Sequence, residues 1–116
     1  MLRLTPFVLL PLAALAGEAD VLNVEVRCDA DKVCRFDVTV EHNDEGWEHY
    51  ADRWEILTPD GEVIATRVLA HPHEQEQPFT RSLGGVRIPD GISEVRVRAR
   101  DSVHGYGGKD IVVSLD

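Results

Sequence analysis

Sulfur is nearly absent from this chain: Met1 is the only methionine, and Cys28 and Cys34 are the only cysteines. A protein so built offers a metal no thioether once its first residues are removed. If the two cysteines are bridged, it offers no thiolate either. Positive charge is also scarce. Twelve Lys and Arg face 21 Asp and Glu, for a formal charge of -9, and such a surface repels nucleic acid and anionic headgroups while concentrating cations. Long apolar runs are missing apart from one short stretch at the start, so no membrane span is expected after that stretch is cut away. Helix-period segments, internal repeats and low-complexity linkers are absent as well, which leaves a single domain. No G-x-S-x-G, H-E-x-x-H or P-loop spacing occurs, so hydrolase and nucleotide chemistry are disfavoured.

The first residues read as an address. Arg3 is followed by an uncharged apolar stretch from Leu4 to Ala16, closing on Ala14-Leu15-Ala16. This is the pattern of a secretory signal peptide over residues 1–16, with Ala19 as the alternative cleavage position. Residues 17–116 then form one domain of a periplasmic or secreted protein. In that setting Cys28 and Cys34, flanking a polar turn, are expected to form a disulfide. Their spacing fits neither a thioredoxin motif nor a zinc knuckle.

Alternation with period two runs through the rest. Val24, Val26 and Cys28 share one face of a first strand, and Cys34, Phe36, Val38 and Val40 one face of a second. Trp54 and Ile56 mark a third strand, ending at Pro59-Asp60-Gly61. A fourth runs from Glu62 to about Ala70, and a fifth from Phe79 towards Ile88 with a bulge at Gly84-Gly85. Val95, Val97 and Ala99 alternate with arginines in a sixth, and Lys109 to Leu115 makes a seventh. Seven strands with turns at this spacing predict an all-β, antiparallel, immunoglobulin-like sandwich.

Strand direction then organises the histidines. There are five, His42, His49, His71, His73 and His104, and they fall in three connections that all reach the same end of a seven-stranded sandwich. Independent structural histidines have no reason to collect there, and imidazole is the commonest side-chain metal ligand. Parity from Val38 and Val40 turns His42 inward, and parity from Val97 and Ala99 does the same for Asp101. His71-Pro72-His73 is held extended by its proline, which favours His71 over His73 for a shared ion. His104 sits among glycines that allow close backbone approach.

These same residues carry a resemblance. His42-Asn43-Asp44-Glu45-Gly46-Trp47-Glu48-His49-Tyr50, the later Pro59-Asp60-Gly61, and Asp101-Ser102-Val103-His104-Gly105 resemble the iron domain of superoxide reductases of the desulfoferrodoxin type. The resemblance implies an immunoglobulin-like sandwich and places His42, His49 and His104 near one ion. That family's axial cysteine falls at Asp101, its histidine spacing is one residue shorter, and its N-terminal ligand segment has no counterpart here. Reductase activity is therefore not carried over.

The leading expectation is an exported metal-binding protein rather than an enzyme, holding a divalent transition metal through His42, His49 and His104, completed by Asp101, His71 or His73. Nitrogen and oxygen donors suit Cu(II), Zn(II), Ni(II) or Fe(II), with copper favoured by the Irving-Williams order. Bridged cysteines exclude a blue-copper site, and neither cleavage position leaves an N-terminal histidine for a brace. A second expectation is a non-catalytic module whose Trp47, Tyr50 and Tyr106 stack on a sugar or anchor a protein partner. A third is a superoxide- or oxygen-active metalloenzyme, which needs an open coordination position.

Overall fold

A computed structural model describes residues 17–115, and the expected signal peptide, residues 1–16, lies outside them. The alternating residues form seven strands: β1 (Asp20–Cys28), β2 (Val33–Glu41), β3 (Ala51–Leu57), β4 (Val63–Val68), β5 (Phe79–Arg87), β6 (Glu94–Asp101) and β7 (Ile111–Ser114). No helix occurs among the described residues. The strands make two antiparallel sheets, ordered β1-β2-β5 and β4-β3-β6-β7.

Period-two patterning decides which face of each sheet is covered, because successive side chains leave a strand on opposite sides. In β2, Cys34, Phe36, Val38 and Val40 are buried, and in β6, Val95, Val97, Ala99 and Asp101 are buried. Trp54 and Ile56 of β3 and Phe79 and Val86 of β5 join them in one core cluster that draws on both sheets, as in a β-sandwich. Burying each of these larger side chains contributes roughly 1.5–3 kcal/mol.

Gly84-Gly85 does form a bulge. Phe36 pairs with Leu83 and Cys34 with Val86, so two residues of β5 face the single residue Arg35 of β2. Gly85 takes a φ of +66° there, which an L side chain resists. The strand therefore continues in one direction, and the alternation of ends survives.

One end holds the tight turns. Gly61 and Gly91 close the two Pro-Asp-Gly turns with φ of +91° and +85°. Cys28 and Cys34 stand opposite each other in the β1–β2 register and are bonded to one another. Asp29 shapes their hairpin by accepting the Asp31 and Val33 amides on Oδ1 at 2.9 and 3.0 Å.

The other end gathers the three long connections, and hydrogen bonds tie them together. The His73 amide donates to Asp44 Oδ2 at 2.6 Å, and the His42 amide donates to Gln77 Oε1 at 3.0 Å. Ser102 and Tyr50 are joined by the Ser102 amide to the Tyr50 carbonyl at 2.9 Å and by the Tyr50 amide to Ser102 Oγ at 3.1 Å.

Candidate metal centre

Two strand ends and one loop converge at this knotted end. The inward parity of β2 continues one step past its last residue, so His42 is buried at 2% exposure, and β6 ends on Asp101 at 0%. Ala51 pairs with Asp101 across β3 and β6, and the Tyr50–Ser102 bonds extend that pairing, which brings His49 over the same rim. His42, His49 and Asp101 each offer one ligand atom, all within 4.8 Å of one another. His42 Nε2 lies 3.5 Å from Asp101 Oδ2, and His49 Nε2 lies 3.7 Å from Asp101 Oδ1. The two imidazoles meet edge to face, their centroids 4.8 Å apart.

The other nitrogen of each ring is already committed. His42 Nδ1 faces Asp44 Oδ1 at 2.5 Å, and His49 Nδ1 faces Glu45 Oε1 at 2.8 Å. A carboxylate only accepts, so each Nδ1 carries a proton, and a neutral ring then presents its Nε2 lone pair to the rim. Those lone pairs point at further oxygens: Asp101, and the Gly17 carbonyl at 3.0 Å from His42 Nε2 and 3.2 Å from His49 Nε2. Lone pairs facing lone pairs repel unless positive charge lies between them, as protons on both imidazoles or as a cation. Carboxylate-oriented histidines with a free second nitrogen are also the usual arrangement around a protein-bound metal.

Asp101 is held ionised. Burial pushes its pKa up, but the His104 and Val103 amides, the His104 ring and nearby His42 outweigh this and leave it below the ordinary value. Both amides donate to Oδ1, at 2.6 and 2.7 Å. The pKa of His49 is raised, first by its bond to Glu45 and, against the opposing effect of burial, by the Gly17 carbonyl and Asp101.

His104 belongs to the same patch but not to the convergent set. Its Nδ1 lies 3.1 Å from Asp101 Oδ2 and its ring centroid 5.0 Å from that of His49. It therefore braces the carboxylate. His71 and His73 stand apart from the convergent His42, His49 and Asp101. Their rings meet at a tilt of 36°, centroids 4.6 Å apart, and His73 stacks on Phe79 at 4.0 Å. The bend of this loop buries His73, at 6% exposure, and leaves His71 exposed. Burial lowers the pKa of His73, helped by Arg81 and His71.

The aromatic group divides. Trp47 is 67% exposed and meets Tyr50 edge to face at 5.7 Å. Tyr106 instead lies under the Arg98 guanidinium, 3.7 Å from the ring centroid, with its hydroxyl bonded to Arg53 and Glu55. One face of Tyr106 is thus covered.

Three contributors escaped the sequence reading. Asp44 shares the i+2 parity of buried His42, and Glu45 precedes His49 by four residues, so both left a trace. Gly17 left none, because its carbonyl reaches the site only through the path of the chain.

No protein-family model and no solved structure matches the chain. A protein of Halomicrobium mukohataei named "Putative lipoprotein" is 38% identical over 99 residues, which is 85% of this chain and 48% of that protein. The chain thus spans about half the length of the relative it matches. No helix among the described residues is long and apolar enough to cross a membrane.

Proposed function

We propose that this is an exported metal-binding protein whose site is His42 Nε2, His49 Nε2 and Asp101, with His104 bracing Asp101. The carrying observation is the pair of carboxylate-oriented imidazoles whose Nε2 atoms converge on a buried carboxylate. Two nitrogens and carboxylate oxygen without sulfur suit Cu(II), Zn(II) or Fe(II), with copper ahead where geometry does not discriminate. An open pocket of about 330 Å³ beside His42, lined by Glu18, Asp20 and Glu41 among others, gives a cation an acidic approach. The lipoprotein-named relative and the disulfide support export. The sheet order supports an immunoglobulin-like type of sandwich. Because both cysteines are bridged, the site has no thiolate donor, which keeps the reading at metal binding.

Exposed Trp47, packed against Tyr50, favours a second reading, a surface that anchors a protein or sugar. The two readings separate by variant. His42→Ala and His49→Ala should each abolish stoichiometric metal in untagged protein isolated from its native compartment and measured by elemental analysis, whereas Trp47→Ala should not. Wild-type protein that is metal-free and takes up no Cu(II), Zn(II) or Fe(II) at micromolar concentration would sink the metal reading.

A further inference from the structure

The Gly17 carbonyl sits where a ligand would. Four donors around a metal at 2.0–2.1 Å in a tetrahedron are about 3.3 Å from one another. The Gly17 oxygen is 3.0 and 3.2 Å from the two Nε2 atoms, and the Asp101 oxygens are 3.5 and 3.7 Å from them. In the neutral ring with its proton on Nδ1, toward Asp44 or Glu45, neither Nε2 has a proton for this oxygen, and a cation between them takes the place of one.

The segment carrying Gly17 is anchored. Ala19 is 1% exposed and part of the core cluster, the Val21 amide donates to the Lys109 carbonyl at 2.8 Å, and the Lys109 amide donates to Asp20 Oδ1 at 2.7 Å. The fit is close on both sides. A methyl group on Gly108 would overlap the Ala19 carbonyl, and one on Gly17 would overlap the His104 ring. Glycine at position 17 thus lets the main chain pass beneath His104 and reach the two imidazoles.

We propose that Gly17 closes the coordination set with its main chain: its carbonyl oxygen and, in a chain cut after Ala16, its free α-amine bind the ion as a five-membered chelate. This rests on the metal reading above. In an uncut chain the Gly17 nitrogen is an amide without a lone pair to donate. Cleavage at the Ala14-Leu15-Ala16 signal converts it to a primary amine two carbons from its own carbonyl oxygen, and binding then releases the ammonium proton. Export and site assembly become one event, because the precursor lacks a donor that the processed protein has.

Residues 17–116 carry all seven strands, the disulfide and the whole core cluster, so the processed domain can be tested directly. Chains beginning at Gly17, beginning with Ser-Ala placed before Gly17, and beginning at Ala19 are titrated with Cu(II) by calorimetry. Nitrogen ligands are counted by electron paramagnetic resonance, and His42→Ala in the Gly17 chain is the reference. The chain beginning at Gly17 should bind at least about tenfold more tightly than the extended chain and show one more nitrogen. The chain beginning at Ala19 should be weaker still. Equal affinity and equal nitrogen count in the free and extended chains overturn the proposal, while loss of binding in His42→Ala keeps the metal site itself. An intact mass of the exported protein that begins at a residue other than Gly17 overturns it too. A Gly17 chain that takes up no Cu(II) removes both readings.

Discussion

Asp44→Asn tests the electrostatic logic of the site with almost no change in shape. Asp44 Oδ1 accepts from His42 Nδ1 at 2.5 Å and from the Ala51 amide at 3.0 Å, and Oδ2 accepts from the His73 amide at 2.6 Å. The side chain is fully buried. An asparagine can keep its oxygen on the Oδ1 side, but its NH2 then meets the His73 N–H, donor against donor. A buried N–H left without an acceptor costs about 1–3 kcal/mol, and the bond to His42 loses its charge assistance. A destabilisation of about 2 kcal/mol should lower the Tm by roughly 10 °C in a domain of this size. Removing the carboxylate that orients a metal-ligating histidine should weaken metal binding by about 10–100-fold. Calorimetric melting of the metal-free protein reads the first effect, and Zn(II) titration of the folded variant below its transition reads the second. An unchanged Tm would refute the role of Asp44 in joining three segments. Unchanged Zn(II) affinity would refute the claim that it orients His42.

Three further outcomes are expected. Replacing Cys28 and Cys34 together by serine should cost about 2 kcal/mol through the short loop they close and leave metal affinity intact, since the bridge lies at the opposite end of the sandwich; denaturant melts and a metal titration check both, and a loss of metal would contradict the stated geometry. His73 has a folded-state pKa below its ordinary value, so as pH falls from about 6.5 towards that lower value the unfolded chain takes a proton that the folded chain resists, and stability drops. His73→Phe should remove this acid-side loss and, by replacing ring nitrogens that are buried without partners among the described residues, add about 1 kcal/mol; urea midpoints at pH 7.5 and 5 should converge in the variant, and an unchanged pH slope would count against it. Trp47→Ala, at an exposed position, should change stability by less than about 0.5 kcal/mol with full metal uptake; a larger loss in a thermal melt would mean that Trp47 packs in solution.

Local pattern carried much of this architecture. Alternation in β2 and β6 placed Val38, Val40, Val97 and Ala99 inward, and the same parity one step further turned His42 and Asp101 inward, where both are buried. The repeated Pro-Asp-Gly turns and the bulge at Gly84-Gly85 kept the strand directions countable, which put all five histidines at one end. Strand edges were less legible: β4 runs Val63–Val68 and β7 Ile111–Ser114, shorter than their apolar patterns, because pairing with a neighbour rather than residue type ends a strand.

The sequence by itself determined the strands, the disulfide pairing and the gathering of histidines, since side-chain alternation and turn chemistry act over a few residues. Which histidines converge was a tertiary decision. His73 stacks on Phe79 with His71 beside it because their loop folds that way, and His104 braces Asp101 because its turn closes back on the end of β6. Asp44 and Glu45 set the imidazole orientations through bonds that exist only once the loop is folded. The Gly17 carbonyl enters through the path of the N-terminal segment between two glycine-lined contacts, a long-range fit that no local pattern encodes.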